Sequence, residues 1–343
     1  IVNPDKDTLA EYKLKQEQWE IEQQKLKRIK SNKAVTLDGT NIDLYANIEV
    51  PEDVAQVKAV GATGIGLYRT EFLFMNRREA PSEEEQFVAY RSVAEALDGK
   101  PVTIRTLDLG ADKEINNDTE RTCTNPALGL RAIRLCLAEP QLFHTQLRAI
   151  LRASAFGHIQ ILIPMLSSIS ELKQTLLLLE RAKKSLRQDK TAFDEKIQIG
   201  GMIEIPAAAL CAEAFAKELD FLSIGTNDLI QYSLAIDRTD DSVSHLYDPV
   251  HPAVLHLVEM TIRAGKKQGK KVSVCGEMAG DTKLTRLLLG FGLRQFSMHP
   301  SHILMVKRQV LQSDIPKLNS TARKILGTQD SEKIEPLIQK MNL

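Results

Sequence analysis

Residues 198–238 read QIGGMIEIPAAALCAEAFAKELDFLSIGTNDLIQYSLAIDR. Two short apolar runs, QIGGMIEI and DFLSIG, each stop at an acidic or amide cluster. Between them Pro206 opens a segment, AAALCAEAFAKEL, with no strand period. Strand, helix and strand at this length predict a right-handed parallel crossover. Glu204 then leaves the first strand, and Asn227 and Asp228 leave the second, at one edge of the sheet. Neighbouring strands lie roughly 4.8 Å apart, so both carboxylates reach one cation. Oxygen-only ligands with no His or Cys beside them suit Mg²⁺ or Mn²⁺ better than zinc. Taken singly, Glu204 reads equally as a helix cap and Asn227-Asp228 as a turn. As a pair on adjacent strand ends they read as a metal site.

The same unit recurs outward along the chain. Asp43–Ile48 precedes PEDVAQVKAVG, GIGLYR precedes SEEEQFVAYRSVAEAL, and PVTIRTLDLG precedes, after an irregular loop, ALGLRAIRLCL and QLFHTQLRAILRAS. IQILIPM leads into SISELKQTLLLLERAKKSL, KVSVCG into DTKLTRLLLGFG, and QFSM into SHILMVKRQVL. Eight short apolar strands, each followed by helix, predict an α/β chain folded as a (β/α)8 TIM barrel. No GxGxxG follows the first strand, which weakens a dinucleotide-binding sheet. Residues 1–34 read as a helical linker: Asp7–Lys30 is polar, free of Pro and Gly, with a thin apolar stripe of Leu9, Tyr12, Leu14, Trp19 and Leu26. Asp38-Gly39 stands between two alternating runs and predicts a hairpin. The barrel domain is placed at 35–343 and ends in C-terminal helices near Pro316–Leu326 and Glu332–Met341.

The 343 residues carry 45 basic and 45 acidic side chains. That balance argues against a nucleic-acid or membrane-surface protein, which would show a basic excess. No apolar run approaches the roughly 20 residues that cross a bilayer, so no membrane insertion is expected. Cys123, Cys136, Cys211 and Cys275 are scattered without CxxC spacing, as free thiols in a reducing cytoplasm would be. The seven histidines show no HxxxH or HxH spacing and read as solvated or hydrogen-bonded imidazoles.

In a barrel of this kind chemistry sits at the C-terminal strand ends. Those ends give Arg69 and Glu71 at the second strand, and Arg105 and Asp108 at the third, with Lys113 and Arg131 beyond it. They give Met202 and Glu204 at the fifth, Asn227 and Asp228 at the sixth with Arg238 in its loop, and Cys275-Gly276-Glu277 at the seventh. Arginines facing a carboxylate pair fit a small molecule bearing phosphate and carboxylate, because the guanidinium fork binds two oxygens at once. Placement and charge stabilisation are what phosphoryl transfer asks of a protein. Any one arginine reads as a salt-bridge partner, but Arg69, Arg105 and Arg238 from three separate loops read as a ligand cluster. Of Arg131 and Arg134, on one helix, one reads as structural. Cys275, the last apolar residue before Gly276, reads either as an inert core thiol or, turned into the mouth, as a proton donor with a free pKa of about 8.5.

GIGLYRTEFLFM, IRTLDLGADKE, NPALGLRAIR, QLRAILRAS, IPM, IEIPAAAL, DFLSIGTNDLIQYSLAIDR, HLYDPVHPAVL and CGEMAGD together resemble Enzyme I of the bacterial phosphotransferase system, in its C-terminal phosphoenolpyruvate-binding and dimerisation domain. The resemblance runs from about Asn3 to Val310. It implies that Arg69, Arg105 and Arg238 hold the phosphate and carboxylate of phosphoenolpyruvate, with Asn227 and Asp228 beside them. Lys113 and Arg131 join the substrate-binding set from their place on the rim. Glu204 and Asp228 would ligate Mg²⁺, and Cys275 would protonate the enolate carbon as pyruvate leaves. A homodimer in the cytoplasm, serving sugar transport, is implied too. The family's phosphoryl acceptor is a His in an N-terminal domain, which passes the group to the HPr carrier protein. Residues 1–34 would match the linker to that domain, so this chain alone is not expected to phosphorylate a carrier. Ala111 stands where related sequences often carry Gly, and Ile115–Thr124 is short and polar; both bear on loop closure.

The nearest rival is the pyruvate phosphate dikinase or phosphoenolpyruvate synthase barrel, which shares the GTNDL and CGE elements. Tyr68, Phe72 and Met278 favour Enzyme I. A rival of another class is a non-catalytic dimerisation module that binds phosphoenolpyruvate only as a signal. Turnover with a separately made N-terminal domain separates the two.

Overall fold

A computed structural model describes residues 5–109 and 127–343. Eight parallel strands close into one barrel in sequence order. They are β1 (Asp43–Ile48), β2 (Ile65–Arg69), β3 (Val102–Arg105), β4 (Ile159–Ile163), β5 (Gln198–Ile203), β6 (Phe221–Ile224), β7 (Lys271–Val274) and β8 (Gln295–Met298). Each sequence-predicted strand is present, because an apolar run covered on both faces can be little else at this length. Helices Ile315–Leu326 and Ser331–Asn342 pack against the outer helix Thr282–Phe291, as expected of the C-terminal pair. No described helix is long and apolar enough to cross a membrane.

Three local readings change. The hairpin at Asp38-Gly39 reduces to a single antiparallel bridge, Val35 to Asn41, since from Asp43 onward the chain pairs with β8 instead of folding back. The helix after Pro206 is two, Pro206–Leu210 and Ala212–Glu218, broken at Cys211. Asn227 and Asp228 form no turn; they lie in the first turn of helix Thr226–Leu234. The N-terminal helix, Lys6–Arg28, is as solvated as its composition demands. Leu9, Tyr12 and Leu14 are exposed, and Leu26 is buried beside helix Pro300–Leu311.

The barrel interior is more polar than its continuous apolar runs suggest. Gln295 Nε2 donates to Asp43 Oδ2 at 2.9 Å, Ser297 Oγ to Asn47 Oδ1 at 2.5 Å, and Ser273 Oγ to Ser223 Oγ at 3.0 Å. Mutual pairing is what allows such groups to be buried. Above them Leu67, Leu162, Met202 and Cys275 form a small apolar layer that floors the mouth.

One irregularity positions the mouth. Ala46 pairs with Ile65 but Asn47 with Leu67, and the same one-residue slip appears against β3 between Ile65 and Tyr68. The extra residue is a bulge at Gly66, which turns Gly66 and Leu67 both inward. Tyr68 is thereby returned to the helix layer, where its ring meets Tyr90 edge-on at 5.9 Å, and Arg69 is returned to the barrel axis in register with Arg105. Without the slip, strict alternation would send Arg69 outward.

A Cβ at Gly66 would fall 2.4 Å from Ser297 Oγ and 2.8 Å from Tyr45 Cβ. Gly66→Ala is therefore expected to destabilise the barrel by roughly 1–3 kcal/mol, the range for overpacking. Urea midpoints would record it, and an unshifted midpoint would count against this reading of the bulge.

Candidate functional site

Arg69, Arg105, Arg131, Glu204, Asn227, Asp228, Arg238 and Cys275 all line one cavity of about 410 Å³ at the C-terminal end of the barrel. Lys113, with Ala111 and the loop 115–124, lies outside the described residues. The cavity opens beside Arg69, Asn227, Cys275 and Glu277 into a groove of about 800 Å³ that runs past β8 and β1.

One wall of the mouth is cationic. Arg105, 8% exposed, is held twice: Nη2 lies 3.1 Å from Glu71 Oε1, and Nη1 lies 2.8 Å from Asp108 Oδ2. Asp108 is shared, its Oδ1 taking Arg131 Nη2 at 2.7 Å. Arg131 Nη1 donates to the Tyr232 hydroxyl at 3.3 Å, and Tyr232 donates in turn to the Ala127 carbonyl. Burial draws the Arg105 guanidinium down, but Glu71 and Asp108 more than restore it, so the charge stays. Among the described residues, the Nε donors of Arg105 and Arg131 are buried without an acceptor. Arg69 meets Glu49 at 2.9 Å, a partly exposed pair that holds it weakly. Arg238 Nη2 stands 3.8 Å from Asp228 Oδ1. Arg134 points elsewhere, toward the Gly129 carbonyl and Glu171. The ambiguity between the two helix arginines is settled by position: Arg131 faces the mouth.

The mouth also holds a buried carboxylate. Glu204 is 1% exposed, and no Lys or Arg lies within ion-pair distance of it among the described residues. Its Oε1 accepts the Met165 N–H at 2.6 Å. Met165 sits at φ 56°, a conformation that disfavours a side chain and that turns this N–H onto the carboxylate. Burial first, then the fields of Asp228 and Asp108, raise the Glu204 carboxyl well above its ordinary pKa. Gly225 leaves the space this carboxylate needs, since a Cβ there would lie 2.6 Å from Glu204 Oε2. Asn227 ties two loops together, Oδ1 accepting the Glu277 N–H at 2.8 Å.

Cys275 closes the floor. Its Sγ donates to the Ile224 carbonyl at 3.5 Å, and its own carbonyl accepts Asn47 Nδ2 at 2.9 Å. Burial pushes the thiol up to about 11, so the free-thiol value does not apply and the proton is retained at neutral pH. Cys136, Cys211 and Cys275 are all free. His251 and His299 cap helices through Nδ1, as hydrogen-bonded imidazoles.

Sequence reasoning placed Glu71 and Asp108 on the rim but missed that they clamp Arg105. Asp108 follows Arg105 by three residues in irregular chain, where spacing carries no facing rule. Tyr232 was findable: it follows Asp228 by four on a helix and shares its face. The Met165 backbone was not.

A family model described as PEP-utilising enzyme, PEP-binding domain matches residues 23–315. Curated proteins similar to this chain include the phosphoenolpyruvate-protein phosphotransferases of Cupriavidus necator, 54% identical over 335 residues, and of Staphylococcus aureus, 46% identical over 338. The matches cover 97% and 98% of this chain but 57% and 59% of those proteins, so the chain spans under two thirds of their length. Among solved structures, a citrate lyase from Burkholderia xenovorans LB400 superposes with a TM-score of 0.53 over 88% of this chain and 89% of its own, at 16% identity, a likeness of fold alone. Because the family model spans most of the barrel and the matched region includes every described residue of the mouth, this chain belongs to the PEP-utilising enzymes, in their PEP-binding domain.

Proposed function

We propose that the chain is the phosphoenolpyruvate-binding catalytic domain of a phosphoenolpyruvate-protein phosphotransferase. The observation that carries this is that four arginines, Arg69, Arg105, Arg131 and Arg238, line one mouth together with the buried Glu204 and with Asp228. Arg69, Arg105 and Arg238 would take the phosphate and carboxylate oxygens, and the unpartnered Nε atoms of Arg105 and Arg131 are donors ready for them. Asn227 would add its amide, and Lys113 a further charge.

Glu204 and Asp228 would hold Mg²⁺ or Mn²⁺. The donor set fits: a buried carboxylate with one N–H partner and no cation of its own, set beside a second carboxylate. Among the described residues no three His, Cys, Asp or Glu side chains form a complete cage, so substrate oxygens and water would fill the remaining positions. The ion supplies neutralisation of the phosphoryl charge. Cys275 would keep its proton until phosphoryl departure leaves an enolate, and then deliver it to the methylene carbon to give pyruvate. The acceptor would be a His of an N-terminal domain joined through residues 1–34, and from there the HPr carrier. A cytoplasmic homodimer working in sugar uptake completes the proposal.

Calorimetric titration of phosphoenolpyruvate with and without Mg²⁺ tests the binding reading; equal affinity in both would remove the carboxylate pair from it. Arg69→Gln, which strands no buried acid, is expected to weaken binding by roughly 1.5–3 kcal/mol, as for a charged hydrogen bond.

Glu204 also sets a pH dependence. Its folded pKa is raised, so in metal-free protein its contribution to stability is full below the ordinary 4.5 and is lost as pH rises through the folded value. Thermal stabilisation by Mg²⁺ should therefore grow as pH rises through the folded pKa of Glu204. Glu204→Gln should abolish that increment while leaving the metal-free melting temperature equal or higher above that pH.

Cys275→Ser is expected to leave phosphoenolpyruvate affinity within a few-fold and to slow pyruvate release at least ~tenfold when a separately made N-terminal domain is supplied. Unchanged turnover would remove Cys275 from the acid role.

A further inference from the structure

At the opposite end of the barrel lies a second cavity of about 430 Å³, comparable in size with the mouth. It sits between the N-terminal ends of β1 to β3, the exit of the Lys6–Arg28 helix and the helix Pro300–Leu311. Its lining carries four lysines, Lys30, Lys33, Lys100 and Lys307, and the amides of Asn32 and Asn41. The one acid in the wall, Asp43, is engaged elsewhere, accepting from Gln295 Nε2 at 2.9 Å and from the Tyr45 hydroxyl at 3.3 Å.

Lys307 makes the cavity unusual. It is 4% exposed, and none of the four lysines is ion-paired to an acid among the described residues. Its Nζ makes one described hydrogen bond, to the Lys30 carbonyl at 2.6 Å, though an ammonium has three donors to place. Among the described residues, Lys100 Nζ is likewise held only by a carbonyl, that of Ala62, at 3.0 Å. A buried ammonium facing only dipoles is an expensive arrangement that a neighbouring anion relieves. Burial accordingly draws the Lys307 pKa down. Nothing in the barrel's packing explains a concentration of one sign here, since the chain as a whole is neutral.

We propose that this basic cavity binds a small phosphate-bearing anion at a site separate from the mouth, bridging Lys30 and Lys33 on the N-terminal segment to Lys100 and Lys307 on the barrel. The chemistry is that of compact ammonium charges and amide donors around phosphate oxygens. Because Lys30 and Lys33 follow directly on the helix that ends at Arg28, an occupant would fix the angle at which that helix leaves the barrel. The site would thus act on the direction of that helix, leaving the reacting groups untouched.

The test is calorimetric titration of inorganic pyrophosphate, free of divalent cations and at physiological salt, into three proteins: the wild type, Lys33→Ala/Lys100→Ala, and Arg69→Gln/Arg238→Gln. The arginine variant should retain a pyrophosphate site. The lysine variant should lose at least ~tenfold in affinity for that site, with an unchanged urea midpoint and unchanged phosphoenolpyruvate affinity. Amide exchange across residues 28–34 should slow on addition of pyrophosphate to the wild type. Binding that disappears in the arginine variant and persists in the lysine variant would place the anion in the mouth alone and overturn the proposal. So would an absence of binding to the wild type at millimolar pyrophosphate. Failure of phosphoenolpyruvate to bind would overturn the reading of the mouth and leave this site standing.

Discussion

Glu204 is a carboxylate with almost no access to water and, among the described residues, no cation within ion-pair distance, placed where the fields of Asp228 and Asp108 make its charge still less welcome. Much of the mouth answers that arrangement. Met165 adopts a left-handed backbone conformation and offers an N–H, and Gly225 gives up a side chain so that the carboxylate has room. Arg105, whose field favours the Glu204 charge, spends its ion pairs on Glu71 and Asp108. Arg105 is held by those two acids, and no described cation ion-pairs with Glu204, so Glu204 can be satisfied by a ligand of positive charge.

That pairing depends on the barrel more than on any one residue. Parallel strands deliver their last inward side chains to one ring, but only if each strand keeps its register. In β2 register is kept by breaking it: the bulge at Gly66 moves Arg69 from the helix layer to the axis and lets Tyr68 fill the layer instead. Beneath the ring, Asn47 and Ser297 brace the Cys275 backbone, so the thiol's height in the mouth is fixed by polar contacts from the neighbouring strands. Burial at that height keeps its proton in place.

The two ends of the barrel differ in kind. At the mouth, the arginines are each matched to a nearby carboxylate, and the imbalance is local and directional. At the far end, four lysines gather with no such matching among the described residues, against the exit of the solvated N-terminal helix. The first arrangement suits chemistry on a ligand, the second suits holding an anion in place.

By itself the sequence determined the barrel, because eight apolar runs with helical spacers leave few other ways to cover a parallel sheet on both faces. It also determined which side chains stand at the strand ends, since in a parallel barrel those ends share one edge. Glu204, Asp228, Arg69, Arg105 and Cys275 were legible for that reason. Only the tertiary structure decided who pairs with whom: that Asp108 clamps Arg105 and Arg131 together, that no described cation pairs with Glu204, that the Cys275 thiol is shifted upward. It alone decided that a glycine bulge aims Arg69, and that lysines far apart in the chain share a cavity. Pairing, burial and register are set by distances across the barrel, and the spacing of residues along a chain holds no record of those.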